Sequence, residues 1–462
     1  GKDYLSSSSS AGVSSDPGSG VASLASQVID ELKSSLSSLL SFRSSRDSNS
    51  RSSSFKLNSD DIDHLLAGAE KAIIESNLTD SEDLNLVLQK VAEGAQISIT
   101  GITPIEDKDN RTMSLIGVIG GSMIKSINGR TQYLNARSAK TNPSPLENAL
   151  SGITQVSISN MDEAGLPPSL VATASKSVVG SLVGSLDEGG LSKNQIGGAL
   201  KNITSKAVDS LDQIEGISPS DITSSLKEIT SGATSALDQI EVSDYSASDL
   251  GEMVQEISSG ATQALGNIKI DGISSDNLSS MMEKVTAGAT GALGQISMEG
   301  YSSSNLTTML SKITSGATSA LGDIEMEGYS SDNLSLMVEK ITAGATSALD
   351  EIQLEGFSSD NLSSMVQEIT SGATGALDEI EMEGFDPSTD VFSMTEKVIL
   401  GTTGALSEIE MEGYDSDELE GMSEGVTTGA MSAINELQSA GLDQNNMSNM
   451  MKSISSSASK GL

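Results

Sequence analysis

The sequence predicts an α/β repeat solenoid of about 28-residue units, each holding one short parallel strand and one helix. Three observations carry that expectation. A Gly-Ala-Thr triplet or a near variant recurs, its glycine at Gly232, Gly260, Gly288, Gly316, Gly344 and Gly372 in strict register, then at Gly401 after a slip of one residue and in step again at Gly429. A fixed period of this length marks an array of stacked supersecondary units. A short alternating phrase follows each triplet, as in Ile268-Lys269-Ile270-Asp271-Gly272 and Ile380-Glu381-Met382-Glu383-Gly384, and period-two alternation is a strand signal. Between phrases runs an apolar stripe at spacings of three and four, the helix signal.

The chain divides into four regions. Residues 1–57 hold a Ser-rich tail, an amphipathic stretch with Val21, Leu24, Val28 and Leu32 on one helical face, and a basic linker carrying Arg43, Arg46 and Arg51. Residues 58–190 repeat in degenerate, less acidic form. Regular acidic repeats fill 191–437, and 438–462 form a Ser- and Met-rich cap.

One unit, residues 352–379, shows the local logic. In Phe357-Ser358-Ser359-Asp360-Asn361-Leu362, Ser358 is placed to accept from orphan N–H groups as N-cap, with Phe357 stapled onto Leu362. Ile217-Ser218-Pro219-Ser220-Asp221-Ile222 repeats the pattern with proline at the first helical position. Leu362, Val366, Ile369, Ala373, Ala376, Leu377 and Ile380 continue the stripe. Gly372 interrupts it at a cost of about 1 kcal/mol relative to Ala, so it either lets neighbouring units approach closely or divides the helix. For the alternating phrase, the copies Ile97-Ser98-Ile99-Thr100 and Val156-Ser157-Ile158-Ser159 favour a strand. The alternative is an all-α helical-repeat solenoid, in which the phrase prolongs the helix and its glycine closes it.

Composition narrows the function classes. The 462 residues include no cysteine, which excludes disulfides and thiol chemistry, and only one histidine, His64. With five Phe, six Tyr and no Trp, the core must be aliphatic. No apolar run approaches the roughly 20 residues of a membrane span, and a chain beginning at Gly1 suggests a removed leader. Residues 1–145 carry 14 basic and 17 acidic side chains, residues 146–462 carry 12 and 47, and every arginine lies in the first part. An acidic array of this kind repels nucleic-acid phosphates and anionic lipid.

Catalytic signatures are missing. Gly117-Val118-Ile119-Gly120-Gly121 lacks the spacing and the Lys-Ser/Thr ending that would hold phosphates. Carboxylates are the plentiful functional groups. On the strand reading, Asp271, Glu299, Glu327, Glu355, Glu383 and Glu412 form a column spaced about 4.8 Å apart, where like charges repel. Hard divalent cations such as Ca²⁺ would relieve that repulsion, although no cofactor is required. Met281, Met309, Met337 and Met365 at one repeat position read as core filling, and Asn277, Asn305, Asn333 and Asn361 as helix caps whose Asn-x-Ser/Thr sequons are secondary.

The expectation is a non-enzymatic, secreted or surface structural protein that polymerises with itself, head to tail, into a filament or sheath. Its partners exclude nucleic acid, membrane span and small-molecule substrate. Residues 1–57 would be the inserting element, through Val21, Leu24, Val28, Leu32, Arg43, Arg46 and Arg51. A monomeric adhesin-like or partner-binding scaffold is the alternative.

Overall fold

The computed structural model describes residues 145–439 apart from the connectors 241–244, 270–273, 297–302, 325–329, 353–358, 381–389 and 407–415, together with residues 113, 116, 117, 119–121, 123, 124, 448 and 452. Among the described residues there is no strand, and the chain is an all-helical repeat array. Helices α1 (Pro145–Ser159), α2 (Val171–Gly184), α3 (Lys193–Asp209), α4 (Pro219–Ser235), α5 (Ala247–Ala264), α6 (Ser275–Gly291), α7 (Ser303–Ser319), α8 (Ser331–Ser347), α9 (Ser359–Gly375), α10 (Asp390–Leu406) and α11 (Ser416–Ser439) follow one another. Most repeats close with a 3-10 turn such as Ala236–Gln239 or Ala292–Gln295.

The α/β expectation is therefore corrected, and the all-helical alternative stands. In several repeats the alternating phrase begins where the 3-10 turn ends, on an isoleucine with extended backbone: Ile240 has φ −76° and ψ 136°, Ile296 φ −77° and ψ 131°. These isoleucines are buried. One extended apolar residue directly after a helical turn imitates the start of a strand. The copy that favoured strand most, Val156-Ser157-Ile158-Ser159, is the last turn of α1, with Ser157 and Ile158 fully buried. β-propensity records fit to a half-buried pleated surface, and here helix burial overrides it. The alternative also placed the helix end too late: the chain leaves helical geometry at the isoleucine, before the phrase glycine.

Helix starts follow the sequence closely. Ser218, Ser246 and Ser274 are N-caps in extended conformation, each in a reciprocal capping box with the residue three further on. In α4 the Asp221 amide donates to Ser218 Oγ at 3.2 Å, and the Ser218 amide returns the bond to Asp221 Oδ2 at 3.1 Å. Asn277 and Asn333 fill the aspartate's place, each Oδ1 accepting the cap serine's amide, at 2.9 and 3.1 Å. Capping thus accounts for these asparagines. Ser358 and Phe357 lie outside the described residues.

Two compact units share the chain. The first comprises residues 1–195 with 213–216, the second 196–212 with 217–462. In the second unit each helix packs chiefly against the helix two further along and only lightly against the next. Helices α4, α6, α8 and α10 form one stack, and α5, α7, α9 and α11 the other. Partners within a stack run parallel, because matched ends meet: near the start of α8 and α10, Ser335 Oγ lies 3.4 Å from Ser393 Oγ, and further along Lys397 reaches Glu339. One turn of the array therefore takes two repeats. Further apolar side chains, such as Leu278, Met282, Val285 and Ala289 of α6, are buried as well.

The marker glycine explains the pairing. A Cβ on Gly316 would stand 2.5 Å from the Gln255 carbonyl oxygen and 2.8 Å from Ser258 Oγ, both on the helix two before. On Gly260 it would stand 2.6 Å from the Lys201 carbonyl and from Thr204 Oγ1. Gly288, Gly344, Gly372, Gly401 and Gly429 meet the equivalent residues. Of the two roles the sequence allowed for Gly372, close approach is the one realised, since α9 runs through it unbroken. The one-residue slip before Gly401 leaves the seam intact. Gly372 meets Ser311 and Thr314, and Gly401 meets Glu339 and Thr342, one residue further back in number but equivalent in place. The extra residue is thus absorbed between helices.

The first unit repeats the device with roles exchanged. Helical Gly117 and Gly121 face Ser181 and Ser185 at or after the end of α2, at 2.8 and 2.6 Å from a notional Cβ to each Oγ, while Gly120 faces Leu182 and Ser157. The glycines that resembled a phosphate loop are helix-packing residues. Tail segments are tied in the same unit: Asp162 Oδ2 accepts the Glu215 amide at 3.3 Å, and Gln155 donates to Gln213 Oε1 at 3.2 Å.

Helix propensity alone favours Ala over Gly by about 1 kcal/mol, so the sign of a Gly→Ala change reports the seam. Gly316→Ala should lower unfolding stability by about 1–3 kcal/mol through overpacking. Gly198→Ala, at an exposed site on α3 where an added Cβ meets nothing within 4 Å, should raise it. Chemical denaturation of both variants checks the pair.

Candidate functional surface

The residues expected to carry function fall mostly on connectors. Asp271, Glu299, Glu327, Glu355, Glu383 and Glu412 lie outside the described residues, as do Val21, Leu24, Val28, Leu32, Arg43, Arg46, Arg51 and His64. The argument for a cation column nevertheless loses its premise. It assumed sheet spacing of about 4.8 Å, whereas neighbours in a helical stack stand about 8–10 Å apart. Among the described residues no group of three or more His, Cys, Asp or Glu is arranged to hold a metal ion, and no helix is long and apolar enough to cross a membrane.

Within the repeats, the structure brings together two features. The first is a hydroxyl-lined seam. Two residues before the marker glycines Gly232, Gly260, Gly288, Gly316, Gly344 and Gly372 stands Thr or Ser, facing the next helix of its stack, whereas Ile399 precedes Gly401. Thr286 Oγ1 donates to the Ile341 carbonyl at 2.9 Å, Thr314 to Ile369 and Thr342 to Val398, both at 3.2 Å. Ser363 makes the comparable bond from α9 to the Gly421 carbonyl of α11 at 2.6 Å. Gly425, one turn on, continues that contact: a Cβ on it would lie 2.6 Å from the Ser363 carbonyl. The triplet threonines Thr234, Thr262, Thr290, Thr318, Thr346 and Thr374 are fully buried in the same seams, and their Oγ1 atoms have no protein partner. An unpaired buried hydroxyl costs about 1–3 kcal/mol. Six would rival the net stability of a whole domain, about 5–15 kcal/mol.

The second feature is a difference between the stacks. On the even stack Lys340 Nζ lies 2.8 Å from Glu283 of α6, and Lys397 Nζ 2.6 Å from Glu339 of α8, a ladder running from repeat to repeat. Lys227 of α4 reaches Glu351 beyond α8 at 2.8 Å. That reach crosses Gly291 of α6, where any side chain would strike the Glu351 carboxylate. On the odd stack, Gln255, Ser311 and Gln367 occupy the glutamates' position. A doubled period was partly legible in the sequence: Glu283-Lys284 recurs as Glu339-Lys340 after 56 residues, while the intervening repeats carry Gln255-Glu256, Ser311-Lys312 and Gln367-Glu368. A search for 56-residue recurrence would have found the two stacks.

Met281, Met309, Met337 and Met365 are buried, and Met253, Met394 and Met422 extend the column, so the methionines fill the core as expected. Leu400, on α10, is an exposed large apolar side chain at 38%.

The ladder pairs are partly exposed, which sets their strength near the 0.2–1 kcal/mol typical of surface ion pairs. A double-mutant cycle with Glu283→Gln and Lys340→Met should return a coupling in that range that shrinks in 1 M salt, where the Debye length falls to about 3 Å. Equal coupling at low and high salt would mean the pair is held by packing instead.

No protein-family model and no curated protein matches this chain.

Proposed function

We propose that this chain is a non-enzymatic structural protein that assembles with itself, head to tail, into an extracellular or surface filament or sheath. The observation that supports it best is the glycine seam. A unit that buries its faces only against units one and two steps away can be multiplied without limit, as in other arrays where stability is a sum of neighbour terms. The unequal charge of the chain supplies polarity. A front bearing all the arginines and a back near −35 associate heterologously without closing, the geometry that yields filaments. In this reading Val21, Leu24, Val28 and Leu32 insert by apolar burial, while Arg43, Arg46 and Arg51 steer the encounter.

The second reading, a monomeric binding scaffold, draws on the odd stack, whose Gln255, Ser311 and Gln367 leave an uncharged surface row. Light scattering and electron microscopy of the purified protein separate the two. Polymers are expected, and removing residues 1–57 should leave a folded chain that no longer polymerises. Filaments formed equally by the truncated chain would place the junction elsewhere, and a discrete full-length monomer would favour the scaffold.

Calcium is not required in this reading. The case for Ca²⁺ rested on strand spacing, and the described residues hold no strand, so millimolar Ca²⁺ should leave the thermal midpoint unchanged at fixed ionic strength. A midpoint that rises with Ca²⁺ and falls with chelator would restore Asp271, Glu299, Glu327, Glu355, Glu383 and Glu412 as ligands.

A further inference from the structure

We propose that each interior seam holds one buried, ordered water molecule, bound at the hydroxyl of the triplet threonine: Thr234, Thr262, Thr290, Thr318, Thr346 and Thr374. This inference stands apart from the assembly reading.

The direction of these hydroxyls follows from their neighbours. Thr286 faces α8, since it donates to the Ile341 carbonyl there, and Thr290 is four residues on and so on the same face. Thr318 follows Thr314 and Thr346 follows Thr342 in the same way. All six hydroxyls are completely buried and have no protein partner, and at Thr290, Thr318 and Thr346 the preceding turn places them on the face toward the next helix of the stack.

The fold holds two other solutions at this position, and the interior repeats use neither. In α3 the equivalent residue is Val208, fully buried, so an apolar side chain of the same shape fits. In α10 the equivalent Thr403 donates to the Ile399 carbonyl of its own helix at 2.8 Å. Other threonines of the array, Thr230 and Thr370 among them, make the same intrahelical bond. A hydroxyl kept in six successive repeats, where valine fits and an intrahelical bond is within reach, points to a partner from outside the chain. That partner is fully enclosed, hydrogen-bonds to a hydroxyl, is uncharged and recurs once per repeat. Water meets all four conditions, and buried waters normally occur about once per 27 residues, the length of one repeat.

The test uses full-length protein with labelled threonine methyls. Long-lived water should give rotating-frame cross-peaks to the methyls of Thr290 and Thr318 but not to that of Thr403. Thr290→Val should abolish the Thr290 signal and lower the thermal midpoint by a few degrees, because the bound water loses its anchor. Thr290→Ser, which retains the hydroxyl, should keep the midpoint closer to that of the parent. Methyls without water contact, or a Thr290→Val midpoint equal to or above the parent, would overturn the proposal. The first result would leave the hydroxyl bonded within the protein, the second would leave it unpaired.

Discussion

The close approach of a glycine to the backbone of the helix two units earlier is the constraint on which the array depends. At Gly316 and Gly260 there is no space for a methyl group between one helix and the carbonyl oxygens of the other. Such proximity dictates the rest of the seam. Small residues and hydroxyls line it, and some of the hydroxyls bond to the carbonyls brought near, as Thr286 does to Ile341 and Ser363 to Gly421. Each marker glycine costs about 1 kcal/mol of helix propensity, a loss that dispersion along a dense parallel helix pair is placed to offset. Thin layers packed so tightly leave space for Leu, Ile, Val and Met, and little for aromatic rings, consistent with the eleven Phe and Tyr in the whole chain.

That constraint also explains which parts of the fold were legible. The period, the caps and the apolar stripe were, because each is a local signal: Ser218 with Asp221 and Ser274 with Asn277 state helix starts in their own residues. The strand was misread because the decisive information is tertiary. Ile240 and Ile296 look like the first residue of an alternating run, and only the 3-10 turn before them shows the run to be a helix exit. Val156 to Ser159 carry strand-favouring types yet lie in the last turn of α1, where Ser157 also lines the approach of Gly120. The glycines themselves had been granted a packing role, but not a partner. The partner two units away was written in the return of Glu283-Lys284 as Glu339-Lys340 with uncharged Gln255, Ser311 and Gln367 in the repeats between and beside them, a pattern that reading one unit at a time averages out.

The candidate surface was less legible for a related reason. A column of carboxylates is inferred from register, and register depends on the element that carries it. The column of acidic positions was inferred from strand register, and the described residues carry helices instead, while the connectors that hold those positions lie outside them. The seam hydroxyls were passed over because threonine after Gly-Ala is unremarkable in a sequence. Their interest comes from full burial without a protein partner, which only the folded structure displays.

The two stacks finally differ in what they leave for the outside. Residues 146–462 hold twelve lysines and no arginine against 47 carboxylates. Lys227, Lys340 and Lys397 are each engaged with a glutamate of another repeat. Positive charge in the even stack is thereby spent on cohesion between units. The excess of acid remains at the surface, screened beyond about 8 Å at physiological ionic strength. An acidic array that has committed lysines to its own ladder has few cations left to present to a second acidic copy. In the proposed assembly, cationic contacts between copies would then fall chiefly to the arginine-bearing first 145 residues. Charge would set the direction of such a contact, and apolar burial its strength, since exposed ion pairs contribute little.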